Sequence, residues 1–313
     1  VYKRQSMEER QVSYYVRAPG TCGEFLQGSI DGQPFLVTCP INRYSYALSG
    51  VKQPLRPYYC SLQPKAALAA QKVINSFVAE GTLPNSPAVQ RAWRSSVYVR
   101  SDIAQGKGMA SSSADISVAA MATALAYGRA LTLEELKEIS LSIEPSDASF
   151  YPGVVQFDYI KGKITEPLGK CPPMKIMIFD EGGEIDTVSF NAQHGLHDLI
   201  AEKEPYIKES LALFKEGIAT HNVSLIGQAA TLSAFANQRI LHKPLLYALH
   251  EIGNHFNSVG TIIAHSGTIM GLLFPTDGAP LADCRAAVHQ ELPDLLYLDT
   301  VETTNEGITF MKR

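Results

Sequence analysis

The 313-residue chain is 45% hydrophobic and 19% charged, an ordinary globular balance that excludes disorder, collagen and coiled coil as descriptions of the whole. With 27 Lys+Arg against 31 Asp+Glu, the net charge is −4 and the pI about 6.1, so there is no electrostatic case for a nucleic-acid partner. No run of about 18 apolar residues exists, nor a basic start followed by an apolar stretch, so neither a membrane span nor a signal peptide is expected.

Strand-like stretches open the chain at Val12–Ala18, Pro34–Thr38 and Tyr44–Ser49, the last with an apolar alternation. Leu68, Val73, Ile74, Phe77 and Val78 then fall near helical spacing, which predicts a helix over Lys65–Glu80 with Gly81 beyond its end. Ser96–Arg100 reads as a strand that runs into a Gly-rich turn and an Ala-rich helix ending near Gly128. Thr132 with Glu135 three residues on forms a capping box, and Pro145 ends that helix near Ile143. Residues 154–166 read as a hairpin turning at Lys161–Lys163. Cys171-Pro172-Pro173 is the expected linker, dividing the chain into residues 1–172 and 173–313. Beyond it come a strand at Met174–Phe179, helices near 197–216, 218–238, 244–257 and 280–291, and strands near 259–265, 269–274 and 296–302. Strands around one Gly-rich helix, followed by helices on a small sheet, give an α+β fold in two domains.

Five widely spread cysteines (Cys22, Cys39, Cys60, Cys171 and Cys284) form no CxxC pair. Neither a disulfide scaffold nor a structural zinc site is expected, and a reducing cytoplasm is the expected compartment. The histidines show no HxxH or HExxH spacing and no GxSxG elbow is present, which argues against a zinc enzyme and an α/β-hydrolase.

The strongest local signal is Gly106-Lys107-Gly108-Met109-Ala110-Ser111-Ser112-Ser113-Ala114. Small residues allow close approach of a ligand to the backbone, and the following helix points free N–H groups and its positive dipole end at that place. The segment fits neither a Walker A loop nor a dinucleotide fingerprint, because Ser111 stands where the latter needs its third glycine. A phosphate or nucleotide cradle is the functional reading; a strand–helix turn with a serine cap is the purely structural one.

GKGMASSSA resembles the second motif of the GHMP kinase superfamily, which includes galactokinase, homoserine kinase and mevalonate kinase. Ala18-Pro19-Gly20-Thr21-Cys22-Gly23-Glu24 stands in the place of the first motif, and Gly260 to Thr268 in that of the third. More narrowly, APGTCGEFLQG, GKGMASSSADI, IEPSD and AHSGT together look like the L-threonine kinase branch, which acts in cobalamin synthesis. The resemblance implies a ribosomal-protein-S5-like N-terminal domain, a ferredoxin-like C-terminal domain and an active site in the cleft between them. It also implies ATP and Mg²⁺ as cofactors and the side-chain hydroxyl of L-threonine as phosphoryl acceptor. Homoserine or a related hydroxy compound is the alternative acceptor, and a non-catalytic nucleotide binder the alternative class. No membrane or nucleic-acid partner is implied.

The resemblance carries roles to single residues. Residues Gly106 to Ser113 would hold ATP, with Lys107 as a source of positive charge, and Ser112 would ligate magnesium together with Glu138 or Glu144. Asp147 is the candidate base, although PSD here departs from the family's PSGVD, whose gapless register would place Ser149 at that position. Thr21 stands where many relatives carry a cation after APG. Substrate would be met by Thr21, Cys22, Gly23 and Glu24 of the first motif and by His265, Ser266, Gly267 and Thr268 of the third. Glu24 and Gln27 would face an ammonium or hydroxyl, and the Ser266–Thr268 donors a carboxylate. Tyr58, Tyr59 and Trp93 are possible adenine walls.

Overall fold

The computed structural model describes residues 13–49, 63–87, 89, 97–183 and 194–313; Tyr58, Tyr59, Cys60 and Trp93 lie outside them. The described residues open with a long hairpin of β1 (Tyr14–Ile30) and β2 (Gln33–Ser49). Asp31 and Gly32, both at positive φ (50° and 73°), make the tight turn between them. β1 runs straight through the first motif, well past the strand expected at Val12–Ala18. The register with β2 shifts at Pro19/Thr21, Thr21/Glu24 and Glu24/Leu26, so the glycines and proline sit at bulges rather than ending the strand. The two expected strands at 34–38 and 44–49 are likewise one, with Pro40 opposite Thr21 at a shift.

Helix α1 (Pro64–Ala79) begins with a proline that needs no helical N–H partner, and it lies within one residue of expectation. β3 (Val97–Ser101) leads to α2 (Ser111–Ala126), whose residues from Ser113 to Leu125 are all buried. Its alanines let it seat closely against α1, β1, β2 and β3, and a helix apolar on all sides has to be covered. α3 (Leu133–Leu141) carries the expected capping box of Thr132 and Glu135. β4 (Val154–Phe157) and β5 (Thr165–Gly169) form the expected hairpin, its turn pinned by Asp158 accepting from the N–H groups of Ile160, Lys161 and Lys163.

β6 (Met174–Asp180) follows, then α4 (Leu196–Glu202) and α5 (Glu204–Thr220). The single helix expected near 197–216 is broken at Lys203, because Pro205 enters the first turn of α5 without an N–H. Asn222 caps α6 (Val223–Ala236), which ends in a 3₁₀ turn at Asn237–Arg239. α7 (Leu246–His255), β7 (Gly260–Ile263), β8 (Ile269–Pro275), α8 (Leu281–Glu291), β9 (Leu296–Glu302) and β10 (Thr309–Lys312) complete the chain.

The ten strands of the described residues form one sheet in the order β5-β4-β2-β1-β7-β8-β6-β9, with β3 paired to β2 and β10 returning to β1. The N-terminal strands thus meet the C-terminal ones along β1 and β7, through the pair Glu24–Ile263. The fold is α+β, as expected, and this junction of the two halves is where the sequence motifs gather.

Candidate active site

Three glycine-bearing segments pack backbone to backbone. The Thr21 N–H donates to the Met109 carbonyl at 3.0 Å, and the Thr268 N–H donates to the Lys107 carbonyl at 3.1 Å. Gly108, at φ +85°, lies so close to the third motif that a Cβ would come within 2.3 Å of the Ala264 Cβ. Gly23, at φ +58°, leaves only 2.2 Å between such a Cβ and the Ile263 carbonyl oxygen. At both positions any side chain would force the segments apart. Ala110 adopts a left-handed conformation (φ 55°) at the start of α2, a strained state for a non-glycine residue that aims the first helical N–H groups outward.

Those N–H groups open on a pocket lined by Gly106, Gly108 and the run Met109–Ser113 on one side. Glu144–Asp147, Glu24, Leu36, Lys65, Tyr159, His265 and Ser266 line the rest. The Ser112 hydroxyl donates to the Glu144 carboxylate, which also pairs with the Lys65 ammonium. Ser112 and Glu144 offer hard oxygen donors at the mouth of the helix dipole. That is the partial set Mg²⁺ takes when nucleotide phosphates and waters supply the rest. Among the described residues no group of three or more His, Cys, Asp or Glu could hold a metal unaided.

Deeper in the pocket, Asp147 and Glu24 hydrogen bond to each other. Burial pushes the Asp147 carboxyl up to about 6; the Glu24 hydrogen bond opposes this, and the Glu144 charge adds to it. Burial, then the Asp147 charge and their shared hydrogen bond, push Glu24 well above the carboxylate range. The two carboxyls therefore titrate as a coupled pair, the Asp147 charge opposing ionisation of Glu24. Ser113 steadies Asp147, accepting its N–H at 3.3 Å and lying 3.4 Å from Oδ2.

His265 has its Nδ1 3.0 Å from Gln27 Oε1 and its ring edge-on to Tyr159. Burial, reinforced by the Lys203 cation, holds its imidazole down to about 3, so it is neutral.

Not every expected site residue reaches the pocket. Lys107 turns away from it, pairing with Asp180 at 2.9 Å and donating to the Gly183 carbonyl at 2.7 Å. Glu138 is exposed on α3, whereas Glu144 meets Ser112. Thr21, Cys22, Gly23, Gly267 and Thr268 are buried in the packed backbone around the site and do not line the pocket. Burial pushes the Cys22 thiol up, which makes it a poor nucleophile. Ser149 is also buried and away from the pocket lining. Lys65 and Tyr159 were not foreseen, because neither lies in a motif and only tertiary packing brings them to the site.

The GHMP kinases N terminal domain family matches residues 71–151, which span α2, α3 and the Glu144–Asp147 turn. An L-threonine kinase from Salmonella typhimurium is 30% identical over 257 residues, 82% of this chain and 81% of that protein. An L-threonine kinase from Citrobacter freundii is 26% identical over 257 residues, 82% and 85% of the two chains. Among solved structures, Lactococcus lactis galactokinase superposes with a TM-score of 0.66 at 12% identity, covering 95% of each chain. Cytophaga hutchinsonii homoserine kinase gives 0.62 at 13%, covering 99% of this chain and 100% of its own. These distant structures share the fold, and the sequence match over four-fifths of the chain fixes the branch. The chain belongs to the L-threonine kinase family of the GHMP kinases.

Proposed function

We propose that this protein is an ATP-dependent kinase that transfers the γ-phosphoryl group to the side-chain hydroxyl of L-threonine, giving O-phospho-L-threonine and ADP. The observation that carries this reading is the placement of two distinct acid centres in one pocket. Ser112–Glu144 lies at the N-terminus of α2, and Glu24–Asp147 lies beside it. Phosphoryl transfer needs charge neutralisation and positioning at the first and a proton acceptor at the second.

In this reading the nucleotide phosphates lie on the N–H groups of residues 108 to 113, where the helix dipole favours negative charge. Ser112 and Glu144 would hold Mg²⁺, which when bound neutralises charge on the transferring phosphoryl group. Lys65 balances Glu144 and stands near the same phosphates. The threonine hydroxyl oxygen forms its bond to the γ-phosphorus as the bond to the β,γ-bridging oxygen breaks, and its proton passes to the Asp147 carboxylate. Glu24 meets the substrate ammonium, whose positive charge lets it ionise beside Asp147.

The test is an ADP-release screen with threonine, serine, homoserine and mevalonate. Threonine gives the highest kcat/KM if the reading holds. ADP release with threonine no faster than with water alone refutes it.

A further inference from the structure

An amino-acid substrate brings a carboxylate as well as an ammonium, and the third motif is poorly placed to receive it. The Gly267 carbonyl accepts from Lys243 Nζ at 3.0 Å, and the Thr268 N–H is taken by the Lys107 carbonyl. Gly267 itself is pressed against Gly108, leaving Ser266 as that trio's contribution to the pocket wall.

Behind His265 lies a different set of donors. Lys203, at the break between α4 and α5, is only 5% exposed, and its ammonium donates to Asn237 Oδ1 at 2.7 Å. Asn237 is 1% exposed, and its Nδ2 has no hydrogen-bond partner. Ser233, one turn earlier on α6, accepts the Gln27 N–H at 3.0 Å. Gln27, also 1% exposed, reaches His265 through Oε1 and leaves its Nε2 without a partner. Lys203, Asn237, Ser233, Gln27 and His265 therefore form one polar seam that ends in the pocket wall.

The seam is rich in donors and poor in acceptors. Among the described residues no carboxylate lies within ion-pair distance of Lys203. Burial alone drives its ammonium down to about 7. A buried cation and two orphaned amide donors are expensive unless an anion joins them. We propose that this seam receives the substrate's α-carboxylate at its His265 end, with Lys203 supplying the charge that selects an amino acid over a neutral alcohol. The inference rests on the amino-acid kinase reading above. It places opposite charges at the two ends of a zwitterion, Glu24 for the ammonium and Lys203 for the carboxylate.

The test measures ADP release by the intact enzyme with L-threonine and L-threoninamide, and with L-homoserine and its amide. Wild type should show a KM for the amide higher than for the acid on the order of 100-fold, because the seam's charge is then left unmatched. Lys203→Met should raise KM for threonine by a similar factor, bring acid and amide within about threefold of each other, and leave the KM for ATP unchanged. Asn237→Asp, which gives Lys203 an internal carboxylate, should have the same effect. A folded Lys203→Met that keeps the wild-type acid-to-amide ratio overturns the inference. If that variant does not fold, an unchanged ratio in Asn237→Asp overturns it instead. Turnover of homoserine without threonine refutes the threonine assignment alone, and the homoserine pair then decides the seam by the same ratio. Turnover of neither acid overturns both.

Discussion

Replacing Asp147 by Asn should make the enzyme more stable and far less active at the same time. Folding raises this carboxyl from 3.8 to about 6, chiefly through burial. The native state therefore holds the proton more tightly than the unfolded chain does. The penalty for ionising Asp147 is absent below the unfolded value and complete above the folded one. Two units correspond to about 3 kcal/mol at pH 8, falling to roughly half of that at pH 5. Asn keeps an oxygen for Ser113 and a nearly identical shape, so it removes the penalty without opening a cavity. Thermal melts should then show Tm higher by about 5 °C at pH 8, with a gain that shrinks as the pH falls toward 4. Turnover in a coupled ADP-release assay should drop by about 10²–10⁴-fold if Asp147 accepts the hydroxyl proton. A drop near tenfold assigns it to orienting the substrate. Wild-type turnover, or a Tm lowered equally at both pH values, leaves Asp147 only a turn-forming role and refutes the reasoning.

The wild-type kcat/KM for threonine should fall by at least about tenfold per pH unit below pH 6, as Asp147 takes up its proton, and a profile flat to pH 5 contradicts this. Ser112→Ala should lower kcat by more than about tenfold and raise the Mg²⁺ concentration needed for half-maximal rate, with ATP binding measured without metal changed less than about threefold. An unaltered Mg²⁺ dependence would separate Ser112 from the metal. Gly108→Ala should cost about 2–4 kcal/mol in urea unfolding, since its Cβ would sit 2.3 Å from that of Ala264 at φ +85°. Gly81→Ala, at φ +75° with open space around it, should cost only about 1 kcal/mol, and equal losses would remove the packing argument.

Much of the site's chemistry could be read from neighbouring residues. The Gly106–Ala114 run announces a loop opening into a helix, and Thr132 with Glu135 announces a helix start, because turn geometry and capping act over a few residues. The same local signals mislead where pairing overrides them. Glycines and proline at 19–23 suggest a loop, yet bulges keep β1 whole because both neighbouring strands hold it. Pro205, and not the apolar spacing around it, decides where the helix after β6 breaks, and so puts Lys203 at a buried junction.

Residue types and motif order are properties of the chain alone, and through their resemblance to a known family they were enough to indicate a kinase fold. Charge states and partnerships are not local. Glu144 rather than Glu138 meets Ser112 because α3 ends before the Glu144–Asp147 turn reaches the mouth of α2, leaving Glu138 on the outer face. Lys107 faces Asp180 because the third motif packs behind its loop. The upward shifts of Glu24 and Asp147 and the neutrality of His265 arise chiefly from burial at the junction of β1 and β7. Desolvation depends on everything packed around a group, and in this fold that packing comes from residues far apart along the chain.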